Sequence, residues 1–184
     1  VVDGETQPIP VIKVVVLNLN QKRSRVFYPG AYVEGSNASP ACWSSDGDRP
    51  DKDVKEPCAQ TCASCPNSVK GSKITTNQKE TTACSTVKRL VVVPAAKLDM
   101  TPLLLKVPQT SMWDKDNTEA NSKGYFAWDQ YADYLRQRGV RHTAQVVTKI
   151  KFDPSVAYPK LLFAADRWVT NEEVPVITAL CNAE

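Results

Sequence analysis

The sequence predicts a mainly β, α+β fold in one domain, residues 1–184. Three observations carry that prediction. Val11–Leu19 and Val87–Val93 are β-branched apolar runs, Ala144–Phe152 alternates with a period of two, and Tyr125–Arg138 is the one long stretch with helical spacing. A length of 184 residues suits a single domain. With 42% hydrophobic and 23% charged residues, the chain has the composition of a folded globular protein. Its longest apolar stretches, such as Val14–Leu17 and Leu90–Val93, fall far short of the roughly 20 residues a membrane-spanning helix needs.

Residues 1–10 are polar and proline-containing, an irregular entry. Val11–Leu19 is nearly continuously apolar, as expected of a strand buried on both faces. Ser24–Val33 follows as a second strand, interrupted by a turn or bulge at Pro29-Gly30. From Gly35 to about Ser85 the apolar periodicity disappears, and Ser, Asp, Lys, Pro, Thr and Cys take over. About fifty structureless residues inside a compact domain are anomalous unless something other than an apolar core organises them. Residues 36–86 are therefore expected to form an embedded cysteine-rich insertion.

Regular texture resumes at Val87–Val93, with Leu103–Val107 as a short strand or extended piece after Pro102, outside the main strand order. Trp128, Tyr131, Ala132 and Leu135 form the buried stripe of a helix that stops at Gly139. In Ala144–Phe152, the side chains of Val146, Ile150 and Phe152 are expected inside and those of Gln145, Lys149 and Lys151 outside. Asp153-Pro154 ends that strand, and Leu161–Val169 is the next. Asn171–Cys181 reads as a terminal helix with Asn171 as cap and Pro175 in its first turn. Five strands with a helix between the third and fourth is the order of an OB-fold-like five-stranded barrel, here with a zinc-knuckle insertion and one or two helices.

Of six cysteines, five lie between Cys42 and Cys84, and Cys181 lies near the C-terminus. Cys62-Ala-Ser-Cys65 is a C-x-x-C pair followed by the turn residues Pro66-Asn67 and Gly71-Ser72. Such a knuckle aims two thiolates at one point about 2.3 Å away, and two distant cysteines close a tetrahedral S₄ site. Cys42, Cys62, Cys65 and Cys84 are the expected ligands of a structural Zn²⁺. Cys58 is a substitute for Cys42 or a spare thiol, and Cys181 is a core thiol. Disulfides and unliganded thiols are the competing readings of the same cluster.

Enzyme chemistry is not expected. The phosphate-cradle, nucleophile-elbow and H-E-x-x-H motifs are absent from the sequence. The single histidine, His142, sits in a basic stretch and reads as an exposed loop residue. Cys42-Trp-Ser-Ser-Asp46-Gly-Asp48 reads as a polar turn rather than a calcium loop, since the alternating ligand order is missing.

The net charge of +3 conceals segregation. Val11–Gly30 carries Lys13, Lys22, Arg23 and Arg25 without an acid, and Arg136–Lys151 carries five cations without one. The acids gather in Asp46–Glu56, Asp114–Glu119 and Glu172-Glu173. Aromatic residues accompany the cations: Phe27-Tyr28 follow Arg25, Trp43 follows Cys42, Tyr158 lies near Lys160, and Trp168 follows Arg167. Cations for phosphates and rings for bases are what sequence-independent binding of a single strand needs.

Cys42-Trp-Ser-Ser-Asp-Gly47, Cys62-Ala-Ser-Cys65-Pro-Asn67, Gly71-Ser72, Ala83-Cys84 and Lys88-Arg89-Leu90 resemble a family of bacteriophage single-stranded-DNA-binding proteins with a cysteine-rich zinc module. Trp128, Tyr131, Leu135 and Gly139, then Val147–Asp153 and Tyr158-Pro159, extend the resemblance over residues 10–180. Cys58 departs from the pattern as an additional thiol. The resemblance implies an OB-like barrel that binds single-stranded DNA in phage replication or recombination, in the cytoplasm of the infected host. The expected contacts are Lys22, Arg23, Arg25, Lys70, Lys73, Lys88, Arg89, Arg141, Lys149, Lys151 and Arg167 on phosphates, with Tyr28 and Trp43 on bases. Phage replication proteins or further copies of the chain are the other expected partners. The alternative is a zinc-ribbon adaptor or a phage structural protein that binds protein instead of DNA.

Overall fold

A computed structural model describes residues 11–20, 22–30, 39–75, 78–114 and 118–183. The strands are β1 (Ile12–Leu19), β2 (Ser24–Phe27), β3 (Cys42–Ser44), β4 (Lys73–Ile74), β5 (Glu80–Thr81), β6 (Cys84–Pro94), β7 (Leu103–Pro108), β8 (Val146–Phe152) and β9 (Leu161–Trp168). The helices are α1 (Thr118–Ser122), α2 (Trp128–Gln137) and α3 (Val174–Asn182). Seven strands make one antiparallel sheet in the order β3-β2-β6-β1-β8-β9, with β7 also on β6; β4 and β5 pair separately as a hairpin.

The mainly β, α+β class holds, whereas a closed barrel is not found. Closure requires the terminal strands to pair with each other, and β3 and β9 are not paired; each bonds a residue from outside the sheet. The main chain of Phe126 exchanges both hydrogen bonds with Phe163 on β9, at 2.8 Å each. On β3, the Trp43 carbonyl accepts from Asp51 N–H at 3.0 Å. The sheet therefore ends at both sides.

The chain forms two compact units: 1–18, 90–105 and 110–184 in one, 19–89 and 106–109 in the other. The expected insertion is thus the larger part of a unit that begins at Leu19 and also includes β2; its predicted start at 36, like residues 31–33 of the predicted second strand, lies outside the described residues.

In the first unit, Val14–Leu17 is buried throughout because both faces of β1 and β8 are covered. On one face, the Tyr131 hydroxyl of α2 meets the Thr148 hydroxyl at 2.8 Å, and Trp128 packs edge-on against Phe163 at 5.1 Å. Burial pushes the Tyr131 phenol up to about 12, so it stays protonated and the hydroxyl pair remains neutral. On the other face, Val15, Leu17 and Val147 pack against Ile177 of α3. Cys181 is half-buried there, with its thiol donating to the Leu17 carbonyl at 3.5 Å.

Three expectations are corrected in this unit. Phe152 is exposed, because it is the last residue of β8 and pairs with Leu161 at the sheet's end. The cap of α3 is Glu173 without a side-chain cap bond; Asn171 lies in the preceding turn, and Pro175 does occupy the first helical turn. Gln145 belongs to a short 3₁₀ turn, Thr143–Gln145, rather than to the strand.

Below β8, Lys160 is buried between Asp153, at 3.0 Å, and Asp114. Burial alone would raise the Asp153 carboxyl, but the Ser155 hydroxyl and N–H together with Lys160 hold it at about 2. A carboxyl depressed in the folded state stabilises fully above its unfolded value near 4, and that stabilisation fades as pH falls toward 2. It amounts to about 2 kcal/mol. Urea midpoints should therefore drop between pH 5 and pH 2.5, and Asp153→Asn should flatten that drop. Lys160→Ala, which leaves two carboxylates facing each other, should cost about 3–5 kcal/mol at neutral pH.

Candidate functional site

The second unit is built from strand register upward. Phe27 on β2 faces Cys42 of β3 on one side and Cys84 of β6 on the other. Side chains of directly paired residues project to the same side of a sheet. The two cysteines therefore flank Phe27 on the same side of the sheet. One rung along, Arg25 lies between Ser44 and Thr86 on that same side.

The loop carrying the other thiols folds over this face. Cys62 N–H donates to the Asp48 carbonyl at 2.8 Å. Within the C-x-x-C, Ser64 N–H donates to the Thr61 hydroxyl at 3.2 Å, and Ser68 N–H to the Cys65 carbonyl at 3.0 Å. These bonds make the knuckle tight, with a 3₁₀ turn at Pro66–Ser68. Cys42, Cys58, Cys62, Cys65 and Cys84 then line one small cavity of about 20 Å³, together with Arg25 and Phe27. That is about the space one water needs.

The thiols feel one another. Burial pushes the Cys58 thiol up, and Cys42, within hydrogen-bonding reach, and Cys65 add to the effect. Burial also raises Cys62 and Cys84; Ser44 and Arg25 oppose this at Cys62, and Arg25 opposes it at Cys84. All six cysteines are free thiols. Among the described residues, no group of three or more His, Cys, Asp or Glu side chains stands in a geometry that could hold a metal ion. The five thiols share a cavity without being drawn onto one point.

The polar turn expected at Trp43–Asp48 supports this site. The Ser44 hydroxyl donates to Asp46 at 3.0 Å and accepts from Gly47 N–H at 2.9 Å, while Asp46 accepts from Asp48 N–H at 2.8 Å. Asp51 accepts from both the N–H and the hydroxyl of Ser45, at 2.8 and 2.6 Å. Gly47 sits at φ +76, where a Cβ would stand 2.2 Å from the Arg23 carbonyl oxygen.

The cations expected at a nucleic acid divide by environment. Arg25 lines the thiol cavity. Lys22 is exposed and paired with Asp48, and Arg23 is exposed. Lys88 is buried on the Asn20 carbonyl; Arg89 is half-buried and donates to the Ser45 hydroxyl at 3.0 Å. Lys70 and Lys73 are exposed and, with Lys79, have no ion pair among the described residues. Tyr28 is exposed, and Trp43 is half-buried.

In the first unit, Lys149 and Lys13 both reach Asp166 at 2.9 Å. Lys151 lies over the Tyr125 ring at 3.9 Å. Arg167 is chelated by Glu173, and Arg141 is exposed without an ion pair among the described residues. His142 is exposed, as expected, and its ring caps the turn before β8. The thiol cluster was legible from spacing. The placement of Phe27 between the cysteines, with Arg25 one rung away, was not, since it depends on register, although the alternation of Arg25 and Phe27 was a signal.

No family model, curated protein or solved structure matches this chain. No family is assigned. Among the described residues, no helix is long and apolar enough to cross a membrane.

The Gly47 turn gives a direct check of the site's architecture. Gly47→Ala combines a positive φ with a clash against backbone and should lower stability by about 2–3 kcal/mol, opening residues 39–75 to protease. Gly139→Ala, at φ +78 but in open space, should cost only about 1 kcal/mol. Equal losses for the two would remove the turn's special role.

Proposed function

We propose that the chain binds single-stranded DNA without sequence preference, as a phage replication or recombination protein, and that a structural Zn²⁺ holds its thiol module. The observation that carries this reading is a water-sized space lined by five thiols, with the exposed, unpaired Lys70 and Lys73 on the segment that leaves the knuckle. Lys70 and Lys73 lie between Cys65 and Cys84, so ordering that segment also orders the backbone that carries these cations. A lysine on an ordered backbone has less conformational freedom to lose on meeting a phosphate.

The donor set fits Zn²⁺ in chemistry: soft thiolates from a C-x-x-C pair and from two strands. Cys42, Cys62, Cys65 and Cys84 would hold the ion, with Cys58 as the substitute. The ion supplies folding energy and no reaction. Arg25, the cation in the cavity wall, would offset the negative charge of a tetrathiolate. Strands β1, β2, β6, β8 and β9 would serve as the OB-like framework in open form. Residues expected to touch the strand are those exposed and uncommitted, Lys70, Lys73, Arg141 and Tyr28, rather than Lys88 or Arg25.

A second reading, a metal-stabilised adaptor for another protein, draws on Val69 and Ile74, exposed apolar side chains on the same segment between Cys65 and Cys84. A salt titration separates the two. Affinity for labelled oligo-dT should fall with a log–log slope of about −0.7 per phosphate contacted, and Lys70→Glu with Lys73→Glu should weaken it and flatten the slope. Affinity independent of salt would sink the single-strand reading. Native mass should show the chain plus one zinc; a mass short by pairs of protons without metal would mean disulfides.

A further inference from the structure

The unit that contains α3 has a cavity of about 470 Å³ that plays no part in the thiol site. Its floor is apolar, with Ala144 and Ile177 buried. Its walls are aromatic: the Trp168 indole, 58% exposed, and the His142 imidazole. Gln145 and Thr178 stand at its exposed rim. A volume of this size is in the range that holds small planar ligands.

These walls are fixed in advance. Arg167 donates to the Trp168 carbonyl at 3.0 Å and, through both terminal nitrogens, to Glu173 at 2.8 and 2.7 Å. Glu173 also accepts from Thr170 N–H at 2.9 Å, so the turn between Trp168 and α3 is clasped. His142 Nδ1 accepts from Ala144 N–H at 3.2 Å, and Gln145 Oε1 accepts from the N–H groups of Arg141 and His142 at 2.9 and 3.1 Å. That leaves the His142 Nε2 and the Gln145 amide nitrogen as donors at the rim. The Arg141 guanidinium, next in sequence to His142, has no ion pair among the described residues.

An apolar slot with an exposed indole, donors at its edge and an unpaired cation one residue along the chain from His142 matches one ligand chemistry: a flat aromatic ring with carbonyl acceptors, joined to a phosphate. We propose that this cavity takes one splayed-out base of a bound single strand, stacked on Trp168, with the neighbouring phosphate on Arg141. The proposal rests on the single-strand reading and adds to it a cavity for the base: the sequence set Trp168 beside Arg167, but not beside His142, Gln145 and α3. An aromatic peptide side chain would use the slot but not the cation.

The test uses the full chain with an oligo-dT carrying one 5-iodouracil, irradiated and mapped by mass spectrometry. Affinities of the wild type, Trp168→Ala, Trp168→Phe and Arg141→Gln are measured alongside. The expected crosslink falls on Trp168 or His142. Trp168→Ala should weaken binding about tenfold, with Trp168→Phe recovering most of it. Arg141→Gln should reduce the salt slope by about 0.7. Matched thermal melts will show that these exposed-residue variants are folded. Tight oligo-dT binding with crosslinks elsewhere and Trp168→Ala at wild-type affinity would overturn the base site and leave single-strand binding standing. Thymidine monophosphate binding that Trp168→Ala abolishes, with no binding of oligo-dT, would keep a base site and overturn the single-strand reading. Binding of neither overturns both.

Discussion

The scarcity of buried apolar side chains between Leu19 and Arg89 is the constraint on which the rest of that unit depends. Among the described residues, its buried apolar ones are Val26, Val54 and the cysteines Cys62, Cys65 and Cys84, with Val107 contributed by 106–109. Ordering each residue costs on the order of 1–2 kcal/mol, which a few valines cannot offset. Local hydrogen bonds help: Ser44 with Asp46, Ser45 with Asp51, Thr61 with Ser64. Ser44 and Trp43 tie residues 46–51 to β3, and Cys62 N–H on the Asp48 carbonyl carries that tie to the knuckle. Beyond these few bonds, the side chains that bring β3, β6 and the knuckle together are the thiols that line one cavity with Phe27.

Charge behaves differently in three dimensions than along the chain. Lys13 and Lys149 belong to acid-free segments, yet they are register partners that share one carboxylate. The register between β8 and β9 passes from Val147 opposite Arg167 to Thr148 opposite Ala165, so Asp166 is the extra residue of a bulge. The bulge re-aims that side chain toward the lysine pair. A basic patch inferred from neighbours in sequence is thereby reduced, while Arg141 and the knuckle lysines keep their charge free. Segregation in sequence is a weak guide wherever antiparallel pairing brings a distant strand alongside.

The elements most legible in the sequence were those whose burial is enforced by long periodic segments. The predicted strand at Val11–Leu19 is β1, Leu161–Val169 is β9 to within one residue, and the Trp128–Tyr131–Leu135 stripe is the buried face of α2. Illegible were β3, β4 and β5, which are two or three residues long and owe their existence to pairing partners rather than to their own pattern. β6 begins three residues before the predicted Val87 because Cys84, Ser85 and Thr86 pair with β2. Phe152 was misplaced because alternation states which side a residue faces and not whether anything covers it. Of the candidate site, the cysteines were legible and the cavity beside Trp168 was not, since its walls come from the turn before β8, the end of β9 and α3.

The thiols and the knuckle lysines have a thermodynamic consequence when taken together. Lys70 and Lys73 are tied at both ends, by Ser68 N–H on the Cys65 carbonyl and by Ala83 N–H on the Ser72 hydroxyl. Both ties lie next to thiols that face the cavity. Whatever draws those thiols together therefore lowers the entropy that the lysines would lose on a phosphate backbone. On the proposed reading, zinc and a single strand must favour each other, and linkage makes the favour mutual: the factor by which zinc tightens strand binding is the factor by which the strand tightens zinc. On that reading, a module assembled around thiols rather than a core would make the metal part of the binding equilibrium, even though the ion would touch no nucleotide.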